Sequence, residues 1–395
     1  KMNRIIFSLF VFFTANFSAN ETLNQEVKKQ LVELIESDDA TQAFIMSHNN
    51  EIIHEYYGEN YSEDDLATSW SIAKTFYAAL IGVAIEQDLI TFEDLNKPLS
   101  FFIPELSRDV KADITLYNLL AMKTGLAITE YYNEEMFFSK DNLAFAMKVK
   151  PNLEQGVVYE YNNVNTMLLN PVIQTIFGKE PHEVLVEEIF EPLGIKKYGL
   201  WSDMAGNDMT YYGVDLKPLD FLKFTNLIAN KGEYNGVQLI DSDFLNQSIK
   251  PLSEGTGEWF GLHWSVRKFN ENKTLVGLEV TDGQFAFFVP EENISLVRFT
   301  KYFHNYDKGH QIKFGPLEYL LWMPYSWIKY ITLMLATEPE PGAAPVDDPS
   351  LNFPDTKSLG VSNLNCPFTA PDICPGVNKI QNLIFGLGDV SQSSQ

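Results

Sequence analysis

Strand-like patterning in this chain is concentrated near its two ends, and that distribution restricts the fold more than any other feature. Early in the chain, QAFIMSH and EIIHEYYGE flank Asn49-Asn50 as the two strands of a hairpin would. Strand patterns return late, in GLHWSVRKF, KTLVGLEVTDGQFAFFVP and ISLVRFTKYF. From Thr91 to about Trp201 the apolar residues recur mostly at helical spacing, separated by turn-rich loops. A mixed α/β (α+β) fold follows: a sheet assembled from both chain ends, with a helical subdomain over about residues 92–205 inserted between them. A cleft belongs at their junction.

With 395 residues, 45% of them hydrophobic, the chain can bury a sizeable core. Its net charge of −24, without clustered Lys or Arg, argues against nucleic acid or an anionic membrane as a partner. The first segment, KMNRIIFSLFVFFTANFSAN, has a basic start, a short apolar run and a small residue at Ala19. It reads as a secretory signal over residues 1–19, which places the mature protein in the periplasm or outside the cell; a retained anchor is the alternative. The two cysteines, Cys366 and Cys374, lie together in NCPFTAPDICPG, where an exported protein would close a local disulfide. No metal site is expected, because the cysteines lack nearby histidines and the six histidines show no ligand spacing. Residues 318–336, EYLLWMPYSWIKYITLMLA, read as a helix packing on the sheet rather than a membrane span, since Pro324 and Lys329 interrupt them. A main domain over 20–336 and a Pro/Gly-rich linker and tail over 337–395 complete the division.

The chemistry-bearing candidate is Ser71-Ile72-Ala73-Lys74, followed by the apolar, helix-length FYAALIGVAIEQ. A hydroxyl and an amine three residues apart share a face only on helical backbone. A serine becomes a nucleophile when a neighbour takes its proton, and a lysine can do so once desolvation lowers its pKa. A serine at the first helical turn also has unpaired N–H groups and the helix dipole aimed at an anion forming there. By itself, S-x-x-K is equally the pattern of a capping serine and a solvated lysine. The partners that this pair lacks stand about ninety residues later, in GVVYEYNNVNTMLLN. There Tyr161 could relay a proton, with Tyr159 as a rival, and Asn163 could hydrogen-bond a substrate amide or the lysine.

This order and spacing resemble the serine hydrolases related to class C β-lactamases, DD-peptidases, family VIII esterases and 6-aminohexanoate-dimer hydrolase. The resemblance runs over about residues 22 to 305, through TSWSIAKTFYAALIGVAIEQDLI, FFIPEL, DITLYNLLAMKTGL, YEYNNVNTMLLN, IFEPLGI, YGVDLKPLDFLKF, GLHWSV and GQFAFFVPEENISLVRF. The 6-aminohexanoate-dimer hydrolase branch is the most similar. The resemblance implies an antiparallel sheet flanked by helices, with Ser71 as acylated nucleophile, Lys74 as its base, Tyr161 as proton shuttle, Asn163 as substrate-orienting partner, and no cofactor.

The third element departs from the family, whose members carry a cation and a glycine on a strand before a G-G-Q-type turn. Counting back from Gln284, Leu278 stands in the place of the cation and Val280 in the place of the glycine. The backbone N–H of Thr281 becomes the oxyanion candidate beside that of Ser71, with Thr281 and Gln284 as candidate substrate contacts. Without the cation, and with Glu279 next to its place, a substrate carboxylate has no partner. The expected substrate is an uncharged small-molecule ester or amide, cleaved through an acyl-enzyme. An impaired penicillin-binding-like sensor, or a β-lactamase or DD-peptidase, are the alternatives. Lys123-Thr124-Gly125 precedes Tyr161 in order and reads as a decoy.

Overall fold

The computed structural model describes residues 23–38, 41–126, 136–137, 139–254, 259–270, 272–280, 283–300 and 375–388. The signal segment, both cysteines, residues 318–336 and Thr281 lie outside them. Among the described residues no helix is long and apolar enough to cross a membrane.

The sheet is indeed drawn from both ends of the chain. β1 (Thr41–His48) and β2 (Glu51–Tyr57) form a hairpin whose turn residues, Asn49 and Asn50, both take positive φ (52° and 66°). Asparagine tolerates that conformation, and such a turn matches the twist of paired strands. β1 pairs on its other side with the last strand, β13 (Ile294–Thr300), and β13 with β12 (Gln284–Val289). The sheet continues through β11 (Lys273–Val280), β10 (Ser265–Asn270), β9 (Trp259–Phe260) and β8 (Ser253–Glu254), and every pairing is antiparallel.

Both faces of the sheet are covered, which explains why β12 and β13 are apolar on consecutive rather than alternate positions. Ala286, Phe288, Val297 and Phe299 face the main core, where the helix α2 (Ala73–Glu86) is buried almost all round. Phe285, Phe287, Ile294 and Leu296 face the opposite way, onto α1 (Gln25–Glu36) and a helix from the end of the chain, Pro375–Gly386. Part of the 337–395 segment thus belongs to the domain's back layer, with Ile380, Ile384, Phe385 and Leu387 buried there.

The helical insert starts after α2 and ends at a small three-stranded sheet of β3 (Ala67–Thr68), β5 (Val214–Leu216) and β4 (Tyr198–Leu200), paired in the order β3-β5-β4. Two further elements place the site: α3 (Asn163–Met167) and α4 (Pro218–Ala229). Phe76 of α2 stacks on Phe224 of α4, 3.7 Å between centroids, and so ties α2 to the helix that covers β12 and β13. The hairpin β6 (Glu233–Tyr234) and β7 (Val237–Gln238) follows α4 at the surface.

Candidate active site

Ser71 sits in a single 3-10 turn, Trp70–Ile72, that runs directly into α2. The turn and the helix together put Ser71 and Lys74 on one face, with Lys74 Nζ 2.9 Å from Ser71 Oγ. Ser71 is half-buried, while Lys74 is only 1% exposed. Its other polar contact is the Tyr211 carbonyl, which accepts at 3.1 Å. Around the amine stand the rings of Tyr212 at 4.8 Å, Tyr161 at 5.2 Å and Tyr211 at 5.8 Å. Among the described residues no carboxylate pairs with it. Burial without a counter-ion holds the Lys74 amine well below the usual lysine range, so its neutral, proton-accepting form is available.

Tyr161 stands just outside α3. Asn162 is that helix's N-cap, its Oδ1 accepting from the Asn165 N–H at 2.9 Å while its amide donates to the Leu126 carbonyl at 2.9 Å. The cap fixes where its neighbours point: Tyr161 towards Ser71, to whose hydroxyl it is hydrogen-bonded, and Asn163 towards the Tyr212 hydroxyl at 3.3 Å. Burial pushes the Tyr161 phenol up to about 12, opposed by the bond to Ser71. It therefore stays protonated at neutral pH and can pass a proton on. Tyr159 packs its ring on Phe260, 5.1 Å between centroids, and has no bond to Ser71 among the described contacts. Of the two tyrosines, Tyr161 is the one in contact with Ser71 among the described residues.

His263 lies close by without the geometry of a base. Its Nδ1 is 2.7 Å from the Leu120 carbonyl, which can only accept, so Nδ1 carries the proton and Nε2 accepts from the Thr166 hydroxyl at 3.0 Å. Burial, reinforced by the nearby Lys74, pushes the imidazole down to about 3. Lys123-Thr124-Gly125 is architectural: Lys123 donates to the Leu252 carbonyl at 2.9 Å, Thr124 to Asn165 Oδ1 at 2.7 Å, and Gly125 turns at φ +76°.

β11 passes beside the Ser71 turn. Its last pair with β10 is Gly277 with Ser265, so Leu278, Glu279 and Val280 pair only with β12 among the described strands. That leaves one backbone edge of this stretch without a β10 partner beside the nucleophile. Leu278 is buried and Val280 half-buried, both against the main core. The strand's glycine, Gly277, serves close packing, because a Cβ there would lie 1.9 Å from the Ala286 carbonyl oxygen. Gln284 shares the core-facing side of β12 with Ala286 and Phe288 and is fully buried, its amide nitrogen and oxygen both without a partner among the described residues. Its side chain is enclosed rather than on an open wall.

The segment Tyr211–Asp215 supplied no candidate site residue, yet it meets most members of the site. Tyr211 lends its carbonyl to Lys74 and Tyr212 its hydroxyl to Asn163. Gly213 lies under the Trp201 ring, and Val214 exchanges hydrogen bonds with Ser69. A buried amine against a serine, with a protonated tyrosine beside both, can transfer an acyl group.

Residues 38–313 match the Beta-lactamase family. The 6-aminohexanoate-dimer hydrolase of Paenarthrobacter ureafaciens is 26% identical over 92 residues, a match covering 23% of this chain and 23% of that enzyme. Among solved structures, a Bacillus anthracis protein assigned as a 6-aminohexanoate-dimer hydrolase has a TM-score of 0.58 at 23% identity, over 69% of this chain and 75% of its own. The octameric penicillin-binding protein homologue of Pyrococcus abyssi has a TM-score of 0.57 at 16% identity, over 70% and 73%. A D-stereospecific amidohydrolase from Streptomyces has a TM-score of 0.53 at 18% identity, over 70% and 94%. With the family matched over more than two thirds of its length, on the β-lactamase and penicillin-binding-protein fold, this chain belongs to the Beta-lactamase family of serine hydrolases.

Proposed function

We propose that this protein is an exported serine hydrolase that cleaves an uncharged small-molecule ester or amide through an acyl-enzyme. The observation that carries the reading is the 2.9 Å contact between Ser71 Oγ and a buried Lys74 with no carboxylate partner among the described residues. The neutral amine takes the Ser71 proton as Oγ attacks the substrate carbonyl. The leaving alkoxide or amine receives a proton through Tyr161, and water then releases the acid. The backbone N–H groups of Ser71 and Thr281 are the oxyanion donors, and Asn163 orients the substrate.

A neutral substrate is favoured by the surroundings. Leu278 stands where a carboxylate-binding cation would be, and the rings around the amine are those of Tyr161, Tyr211 and Tyr212. The sequence of residues 1–19 supports export to the periplasm or beyond, and the net charge of −24 speaks against a nucleic-acid partner. Incubation with a fluorophosphonate probe followed by mass spectrometry tests the core claim. The expected result is one adduct on Ser71, absent from Ser71→Ala; an adduct that persists in that variant refutes it. Turnover of p-nitrophenyl acetate or butyrate should vanish in Lys74→Ala.

The half-buried Val280 favours one second reading, a covalent sensor whose narrowed strand edge hinders turnover. Stoichiometric labelling without p-nitrophenyl ester turnover would identify it. Acylation by a fluorescent penicillin that is then slowly released would point instead to β-lactamase or DD-peptidase chemistry.

A further inference from the structure

Asp215 is a buried carboxylate that this mechanism does not use. It lies in the middle of β5, 2% exposed, paired with Thr68 on β3 and Gly199 on β4. The Thr68 hydroxyl donates to Oδ1, and the Trp201 indole N–H donates to Oδ2 at 2.9 Å. Among the described residues it has no cation. Gly199 makes room for it, because a Cβ there would lie 3.0 Å from Oδ2. Desolvation pushes this carboxyl up to about 7, so the ionised form is costly where it stands. An apolar side chain would avoid that cost.

Both of its partners reach the nucleophile turn. Thr68 is three residues before Ser71 on the same short segment. Trp201 packs its ring edge-on against Trp70, 6.0 Å between centroids, and Trp70 directly precedes Ser71. Trp70 holds φ +44°, a left-handed conformation that a bulky residue keeps only when its surroundings enforce it. Between them Ser69 is tied to Val214, the residue before Asp215, by hydrogen bonds in both directions.

We propose that Asp215 is a positioning residue of the nucleophile: by holding Thr68 and Trp201 from one carboxylate, it keeps Trp70 in its left-handed conformation and Ser71 Oγ in reach of Lys74. The proposal rests on Ser71 being the nucleophile. Asparagine fits the same place, since its oxygen can accept from Trp201 and its amide can donate to a reversed Thr68 hydroxyl. Alanine can do neither.

The test compares wild type, Asp215→Ala, Asp215→Asn and Trp201→Phe, with folding checked by circular dichroism. In Asp215→Ala, kcat and the rate of fluorophosphonate labelling at Ser71 should each fall about tenfold or more while KM stays within about twofold, as expected when a reacting group is misplaced. Asp215→Asn should restore most of both rates, and Trp201→Phe should slow labelling in the same direction. If the alanine variant does not fold, Trp201→Phe labelling at the wild-type rate overturns the proposal. So does a folded Asp215→Ala that labels as fast as wild type, or one whose defect lies in KM alone; the Ser71 reading would then stand. A wild type that never labels overturns both.

Discussion

Lys74 and Tyr161 feel the same burial in opposite directions, and that divides their labour. Desolvation penalises whichever form is charged, so it lowers the amine and raises the phenol. Burial thus favours the neutral form of each, one able to accept a proton and the other to hand one on. The sign for pH follows: as pH falls through the lowered Lys74 value the amine becomes an ammonium, so kcat/KM for a p-nitrophenyl ester should drop on the acid side. Lys74→Arg removes the neutral form at every pH, because a guanidinium does not deprotonate. Turnover in that variant should fall on the order of 10²-fold to 10⁴-fold without an alkaline recovery, measured by pH–rate profiles of both proteins. Ser71 and Lys74 were legible in the sequence because their relation is local: three residues on helical backbone share a face whatever surrounds them. What sets the pKa of Lys74 was not legible, because the residues that exclude water from it come from distant parts of the chain.

Among the elements, α3 is only five residues long and owes its start to the Asn162 cap. Asn162→Ala should destabilise the protein by about 1 kcal/mol in chemical denaturation. It should also lower kcat, since Tyr161 and Asn163 flank the cap; unchanged kcat would separate the cap from the site. The β11 edge makes a different prediction. Val280→Gly removes the half-buried side chain from the stretch that has no β10 partner among the described strands, and kcat/KM should rise more for p-nitrophenyl butyrate than for the acetate. The alternating and consecutive apolar patterns made the strands visible, and the departure at Leu278 and Val280 was read from the sequence as well. The contacts made by Tyr211–Asp215, a segment that lies mostly within the stretch YGVDLKPLDFLKF, were not legible for a physical reason. The segment contributes a carbonyl, a hydroxyl and a buried carboxylate whose uses depend on where β4 and β3 lie beside it, and no spacing within the segment encodes that.

Across the whole molecule, a sheet buried on both faces needs two cover layers, and the back layer joins opposite ends of the chain. Asn24 before α1 donates to the Leu387 carbonyl at 2.6 Å, and Lys273 of β11 donates to the Phe385 carbonyl at 2.7 Å. Truncation before Pro375 would remove Ile380, Ile384, Phe385 and Leu387 from that layer, together with the helix that packs on α1 and β11. Each large apolar side chain is worth about 1.5–3 kcal/mol on burial, so losing several approaches the total stability of a typical domain of about 5–15 kcal/mol. The truncated protein should lose its cooperative thermal transition, as followed by circular dichroism. Arg298 makes a similar link within the sheet, donating to Asp38 at 3.0 Å and to the Gly283 carbonyl at 2.9 Å, and so ties the residue before β12 to the segment that follows α1. The sequence by itself determined the order of elements, the two-ended sheet and the Ser71–Lys74 pair, because periodicity and short spacing are properties of the local chain. Only the tertiary structure decided which tyrosine meets Ser71, that the helix Pro375–Gly386 belongs to the back layer, and that Asp215 stands behind the nucleophile turn. Those are outcomes of packing between segments far apart in sequence, where burial sets the protonation of a group and its partners set its direction.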